Sequence, residues 1–210
     1  MSTKHTTRFR SIPEGQGRTF TFRKASYAEA ASYHTDPQCI RCIGTSGVKT
    51  CVGVYFKLSD SKCFVAHING YVKEGEKGVV KRRCKDKEGQ LFVDEVVRRL
   101  GVESKRGNWV YTNPEIAKSL LIVCAEPETR SKREVLTGWW IIKGIREFLH
   151  LEDAPIERKA GFVVDFDSGR VQTLTFSSAD FDADIDPPEL AHYEAVYERR
   201  TYDWVIWFVE

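Results

Sequence analysis

Three residues in the first third of the chain have the types and spacing of a thiol enzyme's working parts. Thr45 and Cys51 stand six apart in "TSGVKTC", and His67 closes "CFVAH", sixteen positions after Cys51. A thiolate is the nucleophilic form of cysteine. A neighbouring imidazolium lowers the thiol pKa and can later protonate a leaving amine. A third polar group usually orients the imidazole, and Thr45 offers a hydroxyl and a backbone carbonyl for that task. The small residues of "GTSGVK" are expected to form a flexible segment that wraps over the site. Backbone N–H groups near Cys51 could then make an oxyanion hole. The plainer alternative is that a Cys and a His on adjacent strands are ordinary core or surface residues.

The elements that must position these groups decide between the two. "TCVGVYFKL" (50–58) is β-branched and aromatic and predicts a strand; "SDSK" is a turn signal; "CFVAHING" predicts a second strand stopped by Asn69-Gly70. Side chains alternate along a strand, so Cys51, Gly53 and Tyr55 share one face, as do Cys63, Val65 and His67. An odd loop brings Cys51 and His67 to the same side. A loop of about three residues sets them directly opposite, about five makes them diagonal neighbours, and an even loop separates them.

The remaining pattern is mixed α/β. Short helices are predicted within 26–36 and near the Pro187-Pro188 pair, and longer ones over about 90–100, ended by Gly101, and over 134–151. Pro114 suits the first turn of a helix, although "SLLIVCA" after it also reads as a buried strand. "AGFVVDFDSGRVQTLTF" predicts a hairpin, and "DWVIWFVE" a last strand. Residues 1–24, basic and interrupted by Pro13, Gly15 and Gly17, are expected to be a flexible tail. Their composition is shared with mitochondrial transit peptides, but those residues oppose an amphipathic helix. Residues 25–210 are expected to form one domain, with an extension from about 180.

Composition excludes some classes. The 32 basic and 30 acidic residues leave a formal net charge of +2, which gives no strong field for nucleic acid. The basic run at 81–85 reads as a solvated surface. No run of about 18 apolar residues predicts a membrane span, and no signal-peptide core is visible. The six cysteines therefore read as reduced thiols in a cytoplasmic protein.

The stretches "KTCVGVYF", "CFVAHING", "GIREFLHLEDAPI" and "AGFVVDFDSGRVQTLTF" occur in an order and spacing that resembles the CheD family of protein-glutamine deamidases, over about 38–176. The arrangement is also similar to that of the cytotoxic necrotizing factor deamidases. The resemblance implies an α/β/β/α layered sandwich. It implies Cys51 as nucleophile, His67 as general base and acid, and Thr45 as the group orienting His67, with a protein glutamine as substrate and no cofactor. Lys49-Thr50 stands where the family has Gly-Ser, and Ile68-Asn69-Gly70 where it has Leu-Pro after the histidine. A non-catalytic binding module on the same fold, and transglutaminase-type chemistry on the same three residues, remain open alternatives.

Other candidates carry less. Cys39 and Cys42 have C-x2-C spacing, which fits zinc, a redox pair or two incidental thiols. Cys63 and His67 do not complete a zinc site, because residues four apart on a strand lie about 13 Å apart. Asp182, Asp184 and Asp186 read as a solvated acidic loop without the glycine and distal glutamate of a calcium-binding hand. His34, His150 and His192 read as isolated, and Trp204, Trp207 and Phe208 as core, or a partner surface if exposed.

Overall fold

The computed structural model describes residues 7–22, 42–74, 79–110, 114–126, 134–166, 168–175, 193–197 and 204–209. In chain order the strands are β1 (Thr7–Ser11), β2 (Gln16–Thr21), β3 (Cys42–Thr45), β4 (Val52–Ser59), β5 (Lys62–Glu74), β6 (Val79–Lys81) and β7 (Arg83–Cys84). Helices α1 (Asp86–Gly107) and α2 (Pro114–Ser119) follow, then β8 (Leu121–Val123), β9 (Val135–Leu136), α3 (Thr137–Leu149), β10 (Ile156–Glu157), β11 (Gly161–Asp165), β12 (Val171–Leu174), β13 (Tyr193–Tyr197) and β14 (Val205–Val209). The protein is a mixed α+β fold, as the sequence pattern predicts.

The larger sheet has the order β10-β8-β4-β5-β14, with β2 and β6 also paired to β5. The second sheet has the order β12-β11-β3-β1-β13. Strand β5 explains this centrality: it is long and apolar on both faces. Phe64, Ala66 and Ile68 face a core shared with α1 and α3. Cys63 and Val65 face a second core, where they meet Ile43, Phe162 and Val164 of the second sheet. The order is therefore helices, larger sheet, second sheet. Phe9, Val163 and Leu174 form a smaller cluster on the far face of the second sheet, to which none of the described helices contributes.

Helix α1 presents Phe92, Val93, Val96 and Leu100 at helical spacing, and α3 buries Trp140, Ile141, Ile142 and Ile145 against them. The two helices touch at glycines: a Cβ on Gly89 would lie 2.1 Å from the Trp140 ring, and one on Gly144 2.8 Å from Val96. Trp109 stands edge-on to Phe56 and Phe64, with centroids 5.1 and 5.0 Å away, and closes the core beyond the helix end.

Several expectations change. The stretch 1–24, read as a tail, carries β1 and β2. Phe9, Ile12, Phe20 and Phe22 are buried there, so their burial outweighs the basic composition. Helix α1 does not end at Gly101; Ser104 and Gly107 are still packed, and Asn108 supplies the left-handed cap at φ 52°. Strand β5 does not stop at Asn69-Gly70. Gly70 serves close packing instead, because a Cβ there would lie 2.7 Å from the Phe92 ring. After Pro114 both readings hold in turn, a short helix and then β8. The helix predicted over 134–151 forms as α3, and the hairpin β11–β12 and the strand β14 form as predicted. The predicted helix within 26–36, the Pro187-Pro188 region, Cys39, His34, His192 and the Asp182–Asp186 loop lie outside the described residues. No described helix is long and apolar enough to cross a membrane.

Candidate active site

The hairpin β4–β5 turns at Asp60-Ser61, two residues between the Ser59–Lys62 pair. An even loop would put Cys51 and His67 on opposite faces. A register shift between Lys57 and Ser59 inserts one extra residue, Leu58, and restores the parity. Gly53 is then directly opposite His67, and Cys51, just before the first pair Val52–Ile68, lies two residues from Gly53 and shares its parity. Cys51 and His67 are the diagonal neighbours that a five-residue loop would have given.

Thr45 comes from the other sheet. Its hydroxyl donates to the Ile12 carbonyl at 2.7 Å and meets His67 Nδ1 at 2.8 Å. A hydroxyl has one proton, and Ile12 takes it, so Nδ1 carries the hydrogen in the His67 contact and donates to Thr45. Neutral His67 therefore keeps its lone pair on Nε2. That atom is buried and has no hydrogen-bond partner. Gly53 makes the arrangement possible. A Cβ there would lie 3.1 Å from both Thr45 Cγ2 and the Phe162 ring, so a side chain at 53 would crowd Thr45 as it reaches across.

The segment between Thr45 and Cys51 is anchored. Gly47 turns it at φ +73°. Val48 N–H donates to Ala160 O at 2.7 Å, and the Val48 and Lys49 carbonyls accept from Ala125 and Glu126. The expected flexible wrap is instead a fixed crossing from the second sheet to the larger one, and these bonds place Cys51.

Burial sets the electrostatics. Cys51 and His67 are each only 2% exposed. Burial, with Glu14 adding to it, pushes the Cys51 thiol up to about 12. Burial holds the His67 imidazole down at about 4. At neutral pH the pair is thiol and neutral imidazole, not the ion pair that the residue types invite.

Arg82, inside the run read as solvated, turns toward the site. Its Nη1 lies 4.0 Å from Cys51 Sγ and also donates to Thr50 Oγ1. Its Nη2 donates to the Tyr71 hydroxyl at 3.0 Å and lies 3.7 Å from a Glu14 carboxylate oxygen. Tyr71 donates to Glu14 at 2.6 Å and is contacted by the Asn69 amide. The guanidinium also sits 5.1 Å from the Tyr71 ring centroid. The Arg82 carbonyl accepts from Thr137 N–H at the start of α3, and the Thr137 hydroxyl donates to Gly70 O. No pattern in the sequence singled out Arg82; the return of β6 along β5 places position 82 beside Tyr71.

The other candidates are placed apart. Cys42, Cys51, Cys63, Cys84 and Cys124 are free thiols, and Cys42 lies half-buried on β3. Among the described residues no group of three His, Cys, Asp or Glu side chains could hold a metal. His150 is the left-handed residue that ends α3. Trp204 is core, and its Nε1 donates to Gly17 O at 2.9 Å. A cleft of about 400 Å³ lined by Arg98, Arg99, Arg106 and Trp204 does not include the Thr45–His67 pair or Cys51. Neither the protein-family models nor the curated proteins yield a match to this chain.

Proposed function

We propose that the chain is a cysteine-dependent amidohydrolase that converts a glutamine side chain of a partner protein to glutamate, in the manner of the CheD-like deamidases. The observation that carries this reading is the oriented imidazole: Thr45 fixes the His67 tautomer and leaves Nε2 buried and unpartnered, while the register of β4 on β5 gives Cys51 the parity of the residue opposite His67. An unpaired buried nitrogen costs about 1–3 kcal/mol, and a general base is a use that offsets this cost.

The reaction follows from the atoms present. His67 Nε2 takes the Cys51 proton, and Sγ bonds to the carboxamide carbon, whose oxygen takes the negative charge. Collapse breaks the C–N bond, and the imidazolium gives its proton to the leaving nitrogen, releasing ammonia. Water then attacks the thioester carbon while His67 takes its proton. The C–S bond breaks, and the thiolate is reprotonated. One carboxamide and one water give one carboxylic acid and one ammonia, with no cofactor.

A second reading, a binding module on the same fold, is favoured by one observation: Cys51 is 2% exposed beneath Arg82. Ammonia release from glutamine-bearing peptides and unfolded proteins separates the two. Wild type should release ammonia and add about one mass unit at a glutamine, while Cys51→Ala should lose at least about a thousandfold, the scale of removing a nucleophile. A wild-type chain no faster than Cys51→Ala on every substrate leaves the binding module.

A further inference from the structure

We propose that Arg82 is the catalytic cation of this site: it holds the Cys51 thiolate, while His67 acts as a neutral base. The proposal rests on Cys51 being the nucleophile. A buried thiol can give up its proton only if the charge left behind is compensated. His67 does not supply that charge beforehand, because its environment keeps it neutral. The groups that act on the thiol come from four connecting segments. Glu14, between β1 and β2, and Cys124, after β8, oppose ionisation; the Thr50 hydroxyl and Arg82 favour it. Arg82 is the cation in that set. Guanidinium stays protonated at every pH a protein survives, so the charge is present before the proton moves.

The position of the guanidinium is built rather than incidental. It is held by Thr50 through Nη1 and by Tyr71 and Glu14 through Nη2, and its backbone carbonyl is tied to the first residue of α3. Glu14 has a double part: it orients Arg82 directly and through Tyr71, and it weakens the field Arg82 exerts at Sγ. In the first step the thiol proton passes to His67 Nε2, and Arg82 keeps all its own protons. The anion formed at Sγ then faces two cations, the new imidazolium and the standing guanidinium.

The test is the rate at which iodoacetamide labels Cys51 in the full chain, followed peptide by peptide by mass spectrometry, in wild type, Arg82→Gln, Arg82→Lys and Glu14→Gln. Arg82→Gln should slow labelling by roughly tenfold or more at a fixed pH below the thiol pKa, the effect of one pKa unit. Arg82→Lys keeps the charge and should recover most of the loss. Glu14→Gln should speed labelling, and it tests the same field should Arg82→Gln fail to fold. Equal rates in Arg82→Gln and Arg82→Lys would assign the arginine to covering the thiol, and the proposal falls. It also falls if Arg82→Gln labels like wild type, or if Cys51 stays unlabelled in the native wild-type chain. The deamidation reading fails differently, by absent ammonia from a chain whose Cys51 labels in an Arg82-dependent way.

Discussion

His67 is held in one tautomer by a chain of two hydrogen bonds, Nδ1–H to Thr45 and Thr45 to Ile12. The threonine-to-cysteine spacing and the histidine on the next strand were legible in the sequence, because a two-residue period carries face information directly. The bulge at Leu58 was not, since nothing in "FKLSDSK" separates a three-residue loop from a two-residue turn plus one inserted residue. Arg82 was not legible either: a basic run gives charge without direction, and here the pairing of β6 with β5 supplies the direction. One consequence at this scale is a pH effect on folding. The unfolded chain protonates His67 below about 6.5 and the folded one only below about 4. Between those values the unfolded state binds the extra proton, so stability is full above the window and falls as pH drops through it. Urea denaturation should show about 2 kcal/mol lost between about pH 7 and pH 5 beyond any loss in His67→Gln. Parallel curves for the two proteins would refute the neutral, buried imidazole.

Elements and their packing follow the sequence where apolar residues repeat, and depart from it at glycine. Asn69-Gly70 and Gly101 carry the signals of a turn and a helix stop, yet both lie inside continuous elements. In one case a ring occupies the space a side chain would need; in the other the packed face runs on past the glycine. Contact of α1 with α3 depends on the same economy of space. Gly89→Ala improves intrinsic helix propensity by about 1 kcal/mol, but its methyl would enter the Trp140 ring. The substitution should therefore destabilise the protein by about 1–3 kcal/mol, as overpacking does. Thermal denaturation followed by circular dichroism checks this, and a raised melting temperature would show that α3 can move away from α1 at little cost.

At the scale of the whole molecule, segments far apart in sequence lie side by side on β5. Strands β2 and β14 share one side of it, and β4 and β6 the other. Trp204 joins the two distant segments: its N–H donates to Gly15 O, its indole N–H to Gly17 O, and its carbonyl accepts from Asn69 N–H. Sequence reading found the strand after Trp204 but not its neighbours, because parallel pairing over such a separation leaves no local signature. Trp204→Ala should cost about 3–5 kcal/mol, the usual range for a buried tryptophan, read from urea denaturation. A cost below about 1 kcal/mol would mean that Trp204 only decorates this junction.

The two late strands also impose a schedule. β13 flanks β1, and β14 flanks β5, both in parallel register. From the end of β5 to the start of β14 the ribosome adds roughly 130 residues, which takes on the order of 10 s at about 5–20 residues per second. Through that interval the nascent chain offers one open edge of β5 at 69–73, and the side of β1 that will receive β13, to any other strand in solution. Each of these edges is a site for mispairing until its own late strand has been made.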